Sequence, residues 1–104
     1  MFTILLQAEN YEVIEELSSI EGDEEYLIQE VDSEKFPLLS GLSTTEYLPV
    51  ISEWMPYLMR ELDFLIDQVQ DIRSLEHLKK IKELAKKCKE LEGSFLFITP
   101  FELD

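Results

Sequence analysis

"SFLFITPFELD", residues 94–104, ends the sequence, and five of its first eight residues are large and apolar. Terminal residues that merely fray are usually polar. The run therefore reads as a buried strand over residues 95–99. Pro100 ends it, because proline offers no N–H to a β-ladder. Phe2-Thr3-Ile4-Leu5-Leu6 at the other end is a second short apolar run led by β-favouring residues. The two strands are expected to pair or to lie side by side. Phe101 and Leu103 then cover the edge of the core or await a partner.

Helical periodicity dominates the chain between them. Asn10 can cap a helix in which Val13, Ile14, Leu17 and Ile20 share a face and Glu12, Glu15 and Glu16 meet water. Glu21-Gly22-Asp23 would end it, with glycine at the C-cap. Tyr26, Leu27, Ile28 and Val31 fit either a strand or a helix. Phe36-Pro37-Leu38-Leu39 reads as extended, since the residue before proline avoids the helical region. Ser40-Gly41-Leu42-Ser43 is a turn or loop, and Ser43-Thr44-Thr45-Glu46 matches a capping box.

Pro49 and Pro56 would each remove a hydrogen bond inside a helix. The next helix is therefore placed from near Ser52, with Pro56 in its first turn and Trp54, Leu58 and Leu62 on one face. Residues 62–69 remain open: Leu62, Phe64 and Ile66 alternate like a strand, while Leu62, Leu65, Ile66 and Val69 recur like a helix. Ser74 opens the clearest helix. Its apolar stripe is Leu75, Leu78, Ile81, Ala85, Cys88 and Leu91, with lysines opposite and Gly93 as the stop. These elements predict one small α/β (α+β) domain over 1–104, a small mixed sheet holding both terminal strands and packed by two to four helices.

The chain has 104 residues, is 45% hydrophobic and carries a formal net charge of −14. That charge argues against nucleic acid, which is held by Lys and Arg displacing counterions, and against anionic membranes. It suits steered association with a basic partner. The charge is uneven: residues 1–72 hold 17 acidic and 2 basic side chains, and residues 73–104 hold 6 acidic and 7 basic ones. A dipolar molecule is expected, with an acidic body and one mixed-charge helix.

Cys88 is the only cysteine, so no internal disulfide is possible and a reducing compartment fits. Residues 1–7 do not read as a signal peptide, and no run is long enough to span a membrane. The expected location is cytoplasmic.

Little chemistry shows. His77 is the only histidine and reads as a surface or boundary residue, because no nucleophile or orienting carboxylate is implied beside it. Cys88 sits on an apolar stripe and reads as a small buried hydrophobe. Asp23-Glu24-Glu25 lacks the spaced ligands and turn glycine of a calcium loop and reads as solvated. No phosphate-binding glycine loop occurs. No catalytic residue, metal or cofactor is expected, and the chain reads as a non-enzyme. Trp54, Met55, Tyr57, Met59 and Phe64 crowd one region and are read as core ahead of interface. The residues expected to meet a partner are Trp54, Tyr57, Asp23, Glu24, Glu25, Phe101 and Leu103.

The opening "FTILLQAENYEVIEELSSIEGDEEYLIQ" resembles that of the type VI secretion effector-chaperone adaptors, the Tap or TEC proteins. That family's opening has an apolar strand, an Ala, a helix, a Leu-x-x-x-Glu stretch and acidic residues before a Tyr. Here these are Ile4 to Leu6, Ala8, Tyr11 to Leu17, Leu17 to Glu21, and Asp23 to Tyr26. "SLEHLKKIKEL" is similar to the family's Ser-Leu-x-x-Leu-basic-basic helix, and "GSFLFITPF" to its glycine, strand and Phe-Arg-x-x-Asp-Pro motif. Phe97 takes the motif's Phe, but Ile98, Phe101 and Glu102 stand where it has Arg, Asp and Pro, so the roles of that Arg and Asp do not carry over. Only Trp54 matches the family's Trp-rich middle, and the chain corresponds to its N-terminal lobe.

The resemblance implies a cytoplasmic adaptor that binds a secreted effector and helps load it on the secretion machinery. It also implies a hairpin of 87–91 with 94–98, whereas the good helix formers from Ala85 to Leu91 favour a helix there. Other readings compatible with the composition are an acidic immunity protein that blocks a basic toxin such as a nuclease, a DNA mimic, and an acidic subunit of a larger assembly. The scattering of carboxylates among apolar residues lowers the DNA-mimic reading.

Overall fold

The computed structural model describes residues 1–29 and 34–101. Both terminal runs form strands, β1 (Thr3–Gln7) and β4 (Phe95–Thr99), and they pair antiparallel with Ile4 opposite Ile98 and Leu6 opposite Leu96. They are the two central strands. β2 (Val13–Leu17) lies outside β1, and β3 (Leu48–Ile51) lies outside β4, giving the order β2-β1-β4-β3. All three pairings are antiparallel, so the expected α+β fold is present with an antiparallel rather than a mixed sheet.

The expected helix after Asn10 is instead β2. Val13, Ile14 and Leu17 fit either periodicity, and pairing with β1 decides between them. The N–H of Tyr11 donates to the Ala8 carbonyl, and the N–H of Ala8 to the Glu12 carbonyl. Asn10 accepts from Glu12 N–H and thereby shapes a hairpin turn rather than a helix start. Tyr11 takes φ 69° to close this turn. An irregularity between Leu6 and Gln7 lets Ile14 sit as an extra residue in β2. Gly22, at φ 85°, lies in the turn that leads to α1 (Glu24–Leu27), a single helical turn. Tyr26 and Leu27 thus belong to a helix, and Val31 lies outside the described residues.

Pro37 to Leu39 are not extended. They form turns running into a 3-10 turn, Leu39–Gly41, with Phe36 and Leu39 buried. The buried Glu61 carboxylate organises this loop by accepting the N–H groups of Leu38 and Leu39, the latter at 2.9 Å. Ser43 caps as expected, accepting from Thr45 and Glu46 N–H, but no helix follows because strand β3 captures the next residues. Pro49 is tolerated there because β3 is an edge strand.

A 3-10 turn, Ser52–Trp54, leads into α2 (Met55–Gln68), with Pro56 in its first turn as expected. Residues 62–68 are helical, with Leu62 and Leu65 facing the core. α3 (Ile72–Glu90) starts earlier than Ser74. Asp71 is the N-cap and accepts from Ser74 N–H at 2.8 Å. Helix continues through Glu90, so the hairpin implied by the family resemblance is absent. Leu91 is an exposed cap residue, and Leu84 and His77 join the buried stripe instead. Gly93, at φ 84°, and Ser94 then turn the chain into β4. The Ser94 hydroxyl donates toward the carbonyls of Leu91 and Cys88.

The core lies on one face of the sheet. Ile4, Leu6, Val50, Leu96 and Ile98 share a single buried cluster with Met55, Leu58, Leu62, Leu65, Leu78, Ile81, Ala85 and Cys88 of the two long helices. Lys87 of α3 reaches Glu15 of β2 at 2.8 Å and ties the helix to the sheet edge. Among the described residues no helix is long and apolar enough to cross a membrane.

Candidate protein-binding face

The second face of the sheet is also apolar, and neither long helix covers it. Side chains alternate across a strand, so Leu5, Phe95 and Phe97 point away from the buried cluster, which contains none of them. Strand register arranges this face in rows. One row runs Glu16, Leu5, Phe97, Pro49, and the next runs Val13, Gln7, Phe95, Ile51. Two tyrosines flank the rows. Tyr11 meets Phe95 edge-on with ring centroids 5.8 Å apart, and Tyr47 lies tilted on Phe97 at 4.7 Å. Tyr11 is 75% exposed and Tyr47 55%, and Val13 and Ile51 are also exposed.

The charged side chains of the strands are all acidic. No Lys or Arg occurs in any strand, in residues 1–34 or in residues 93–104. Glu16 lies on the face itself, opposite Leu5. Glu9 and Glu12 bracket the hairpin turn, Glu46 precedes Tyr47, and Glu53 follows β3; all four are exposed.

The residues singled out from the sequence lie elsewhere, and of the described ones Asp23 and Glu24 meet at the Met1 amine. Trp54 and Tyr57 are exposed at the start of α2. The expectation that their cluster is core holds for Met55 and not for these two. Tyr57 lines a small cavity of about 180 Å³ with Pro37, Arg60, Glu61 and Phe64. Phe101 is half-exposed just beyond β4, and Leu103 lies outside the described residues.

Asp23 is not solvated. It is fully buried and accepts Phe2 N–H at 2.8 Å, and its other oxygen stands 3.6 Å from the Met1 amine. Burial pushes its carboxyl above the usual range, against the Phe2 hydrogen bond and the Met1 charge. Glu24 pairs with the same amine, which holds its carboxyl low. Glu25 is exposed.

His77 is buried rather than at the surface. Its Nδ1 is 2.7 Å from the Tyr26 hydroxyl. Burial lowers its pKa, the Ser18 backbone opposes this, and Lys80 and Arg73 add to the lowering. The same burial raises the Tyr26 phenol well above its ordinary value. Cys88 is buried as expected, and burial raises its thiol, so it lacks the lowered pKa of a reactive cysteine. Among the described residues no group of three or more His, Cys, Asp or Glu is placed to hold a metal ion.

Sequence reasoning missed the sheet face because its members come from four separate strands. One signal for it exists. In "FLFIT" both alternating sets, Phe95 with Phe97 and Leu96 with Ile98, are apolar, whereas a strand of an antiparallel sheet solvated on one face alternates apolar with polar. Comparison with protein-family models, with curated proteins and with solved structures finds no match to this chain.

Proposed function

We propose that this protein is a non-catalytic protein-binding module. The observation that carries the reading is the aromatic face of the sheet turned away from the buried cluster, with Tyr11 and Tyr47 exposed upon it. A contiguous apolar face rimmed by polar groups is how docking surfaces differ from ordinary surface, and tyrosine is enriched at such surfaces. Tyr11 adds to this. A bulky residue at positive φ is disfavoured, and Tyr11 is exposed besides, so folding alone gives little reason for it.

The role implied by the family resemblance is an adaptor or chaperone that holds a secreted effector and helps load it on the type VI secretion machinery. A second reading, an immunity protein that neutralises a basic toxin such as a nuclease, is favoured by one observation. The strands hold the carboxylates Glu15 and Glu16 and no Lys or Arg, which suits the surface of a protein that binds nucleic acid. Deleting the gene separates the two. An adaptor predicts loss of export of a specific effector, and an immunity protein predicts killing by a toxin made in the same or a neighbouring cell. Normal export and normal survival in the deletion strain would contradict both.

A further inference from the structure

We infer that the sheet face takes an apolar ridge flanked by lysine or arginine side chains on a basic partner protein. This rests on the protein-binding reading above and specifies the partner's chemistry. At the centre of the face Leu5 is buried and Phe95 and Phe97 are half-buried, and the exposed apolar surface is that of Tyr11, Val13, Tyr47 and Ile51 around them. Tyr11 and Tyr47 stand beside it as exposed aromatic walls, each already braced by one phenylalanine. Aromatic anchors of this kind carry most of the energy of an interface. The charges then choose the partner: Glu16 lies on the face, Glu9, Glu12 and Glu46 are exposed in the segments that lead into β2 and β3, and no Lys or Arg occurs in the strands.

The same charges argue against a second copy as occupant. Two-fold pairing of this face would bring like carboxylates together, and like-charge juxtaposition suppresses an interface. Extension of the sheet by an added strand is also poorly served. Pro49 removes an N–H from the β3 edge, and the register irregularity beside Gln7 disturbs β2. The broad face, rather than an edge, is the docking surface.

The test uses the full chain, isotopically labelled, with three synthetic probes: an amphipathic leucine–lysine peptide, its leucine–glutamate counterpart, and oligolysine without leucine. The leucine–lysine peptide is expected to shift the amide signals of β1, β4, Tyr11 and Tyr47, and to bind more weakly as salt is added. The leucine–glutamate peptide is expected not to bind, and oligolysine to bind far more weakly. Replacing both tyrosines, Tyr11→Ala with Tyr47→Ala, should weaken the leucine–lysine peptide at least about tenfold, and Glu16→Lys should weaken it as well. Should the double variant fail to fold, the signal map on the unchanged protein still decides. Shifts confined to α2 and α3, equal binding of the glutamate peptide, no binding of any probe, or a concentration-dependent dimer through this face would each overturn the inference. The protein-binding reading falls separately, on the export and survival assays.

Discussion

Tyr11 offers a test of whether the sheet face is kept at the expense of the fold. Its φ of 69° places it in the left-handed region, which costs an ordinary L-residue roughly 1–2 kcal/mol. Asparagine tolerates that region far better. The edge-on contact with Phe95 returns about 0.5–1.5 kcal/mol, and little further burial is lost because the ring is 75% exposed. Tyr11→Ala keeps the backbone strain and loses the ring, so it should destabilise by about 1 kcal/mol. Tyr11→Asn loses the ring and relieves most of the strain, so it should match the unchanged protein to within about 1 kcal/mol. Urea unfolding measured on all three, with equal denaturant slopes, gives both differences. Asparagine should exceed alanine by about 1 kcal/mol, while both variants bind the partner more weakly. An alanine variant as stable as the asparagine variant would refute the strain argument. Unchanged binding by both would refute the role assigned to the ring.

Three further outcomes are expected. Glu61→Ala strands the N–H groups of Leu38 and Leu39 at about 1–3 kcal/mol each, so urea unfolding should show a loss of roughly 2–6 kcal/mol in total. Glu61→Gln keeps an acceptor and should lose much less, and equal losses would contradict the capping role. A chain cut after Gly93 lacks the strand between β1 and β3 and should show no cooperative unfolding by circular dichroism. Leu96→Ala, a milder lesion at the same fully buried strand, should cost about 2–5 kcal/mol. Burial holds His77 below the ordinary imidazole range. Its contribution to stability is therefore present above about pH 6.5 and lost as pH falls through the lower folded value. His77→Gln should flatten the stability profile on the acid side of about pH 6.5, and a steeper acid limb in that variant would reverse the sign of the argument.

The legible parts of this fold are those set by local pattern. The stripe on α3 runs for five turns, so an error of a few residues at its start does not hide it. The two terminal strands show as isolated apolar runs that need each other. β2 was not legible as a strand. Val13, Ile14 and Leu17 satisfy a helical spacing, Glu15 and Glu16 favour helices, and the hairpin turn holds Asn10 and Tyr11 rather than a glycine. Its identity comes from pairing with β1, a tertiary effect. The capping pattern at Ser43 fails in the same way, because β4 recruits the residues after it. His77 looked peripheral beside the lysines, yet Tyr26, 51 positions earlier, meets it in the interior. The docking face is the least legible feature. Leu5, Tyr11, Tyr47 and Phe97 become neighbours only through strand register, and the single hint was a strand apolar on both sides.

The central claim is that partners dock on the sheet face and not on the helices. A photo-crosslinking benzoylphenylalanine placed at Tyr47, and in a second strain at the exposed Lys79 of α3, tests it in living cells. Crosslinking from position 47 to one basic protein, with none from position 79, is the predicted result. Crosslinking from position 79 and none from position 47 would contradict the account.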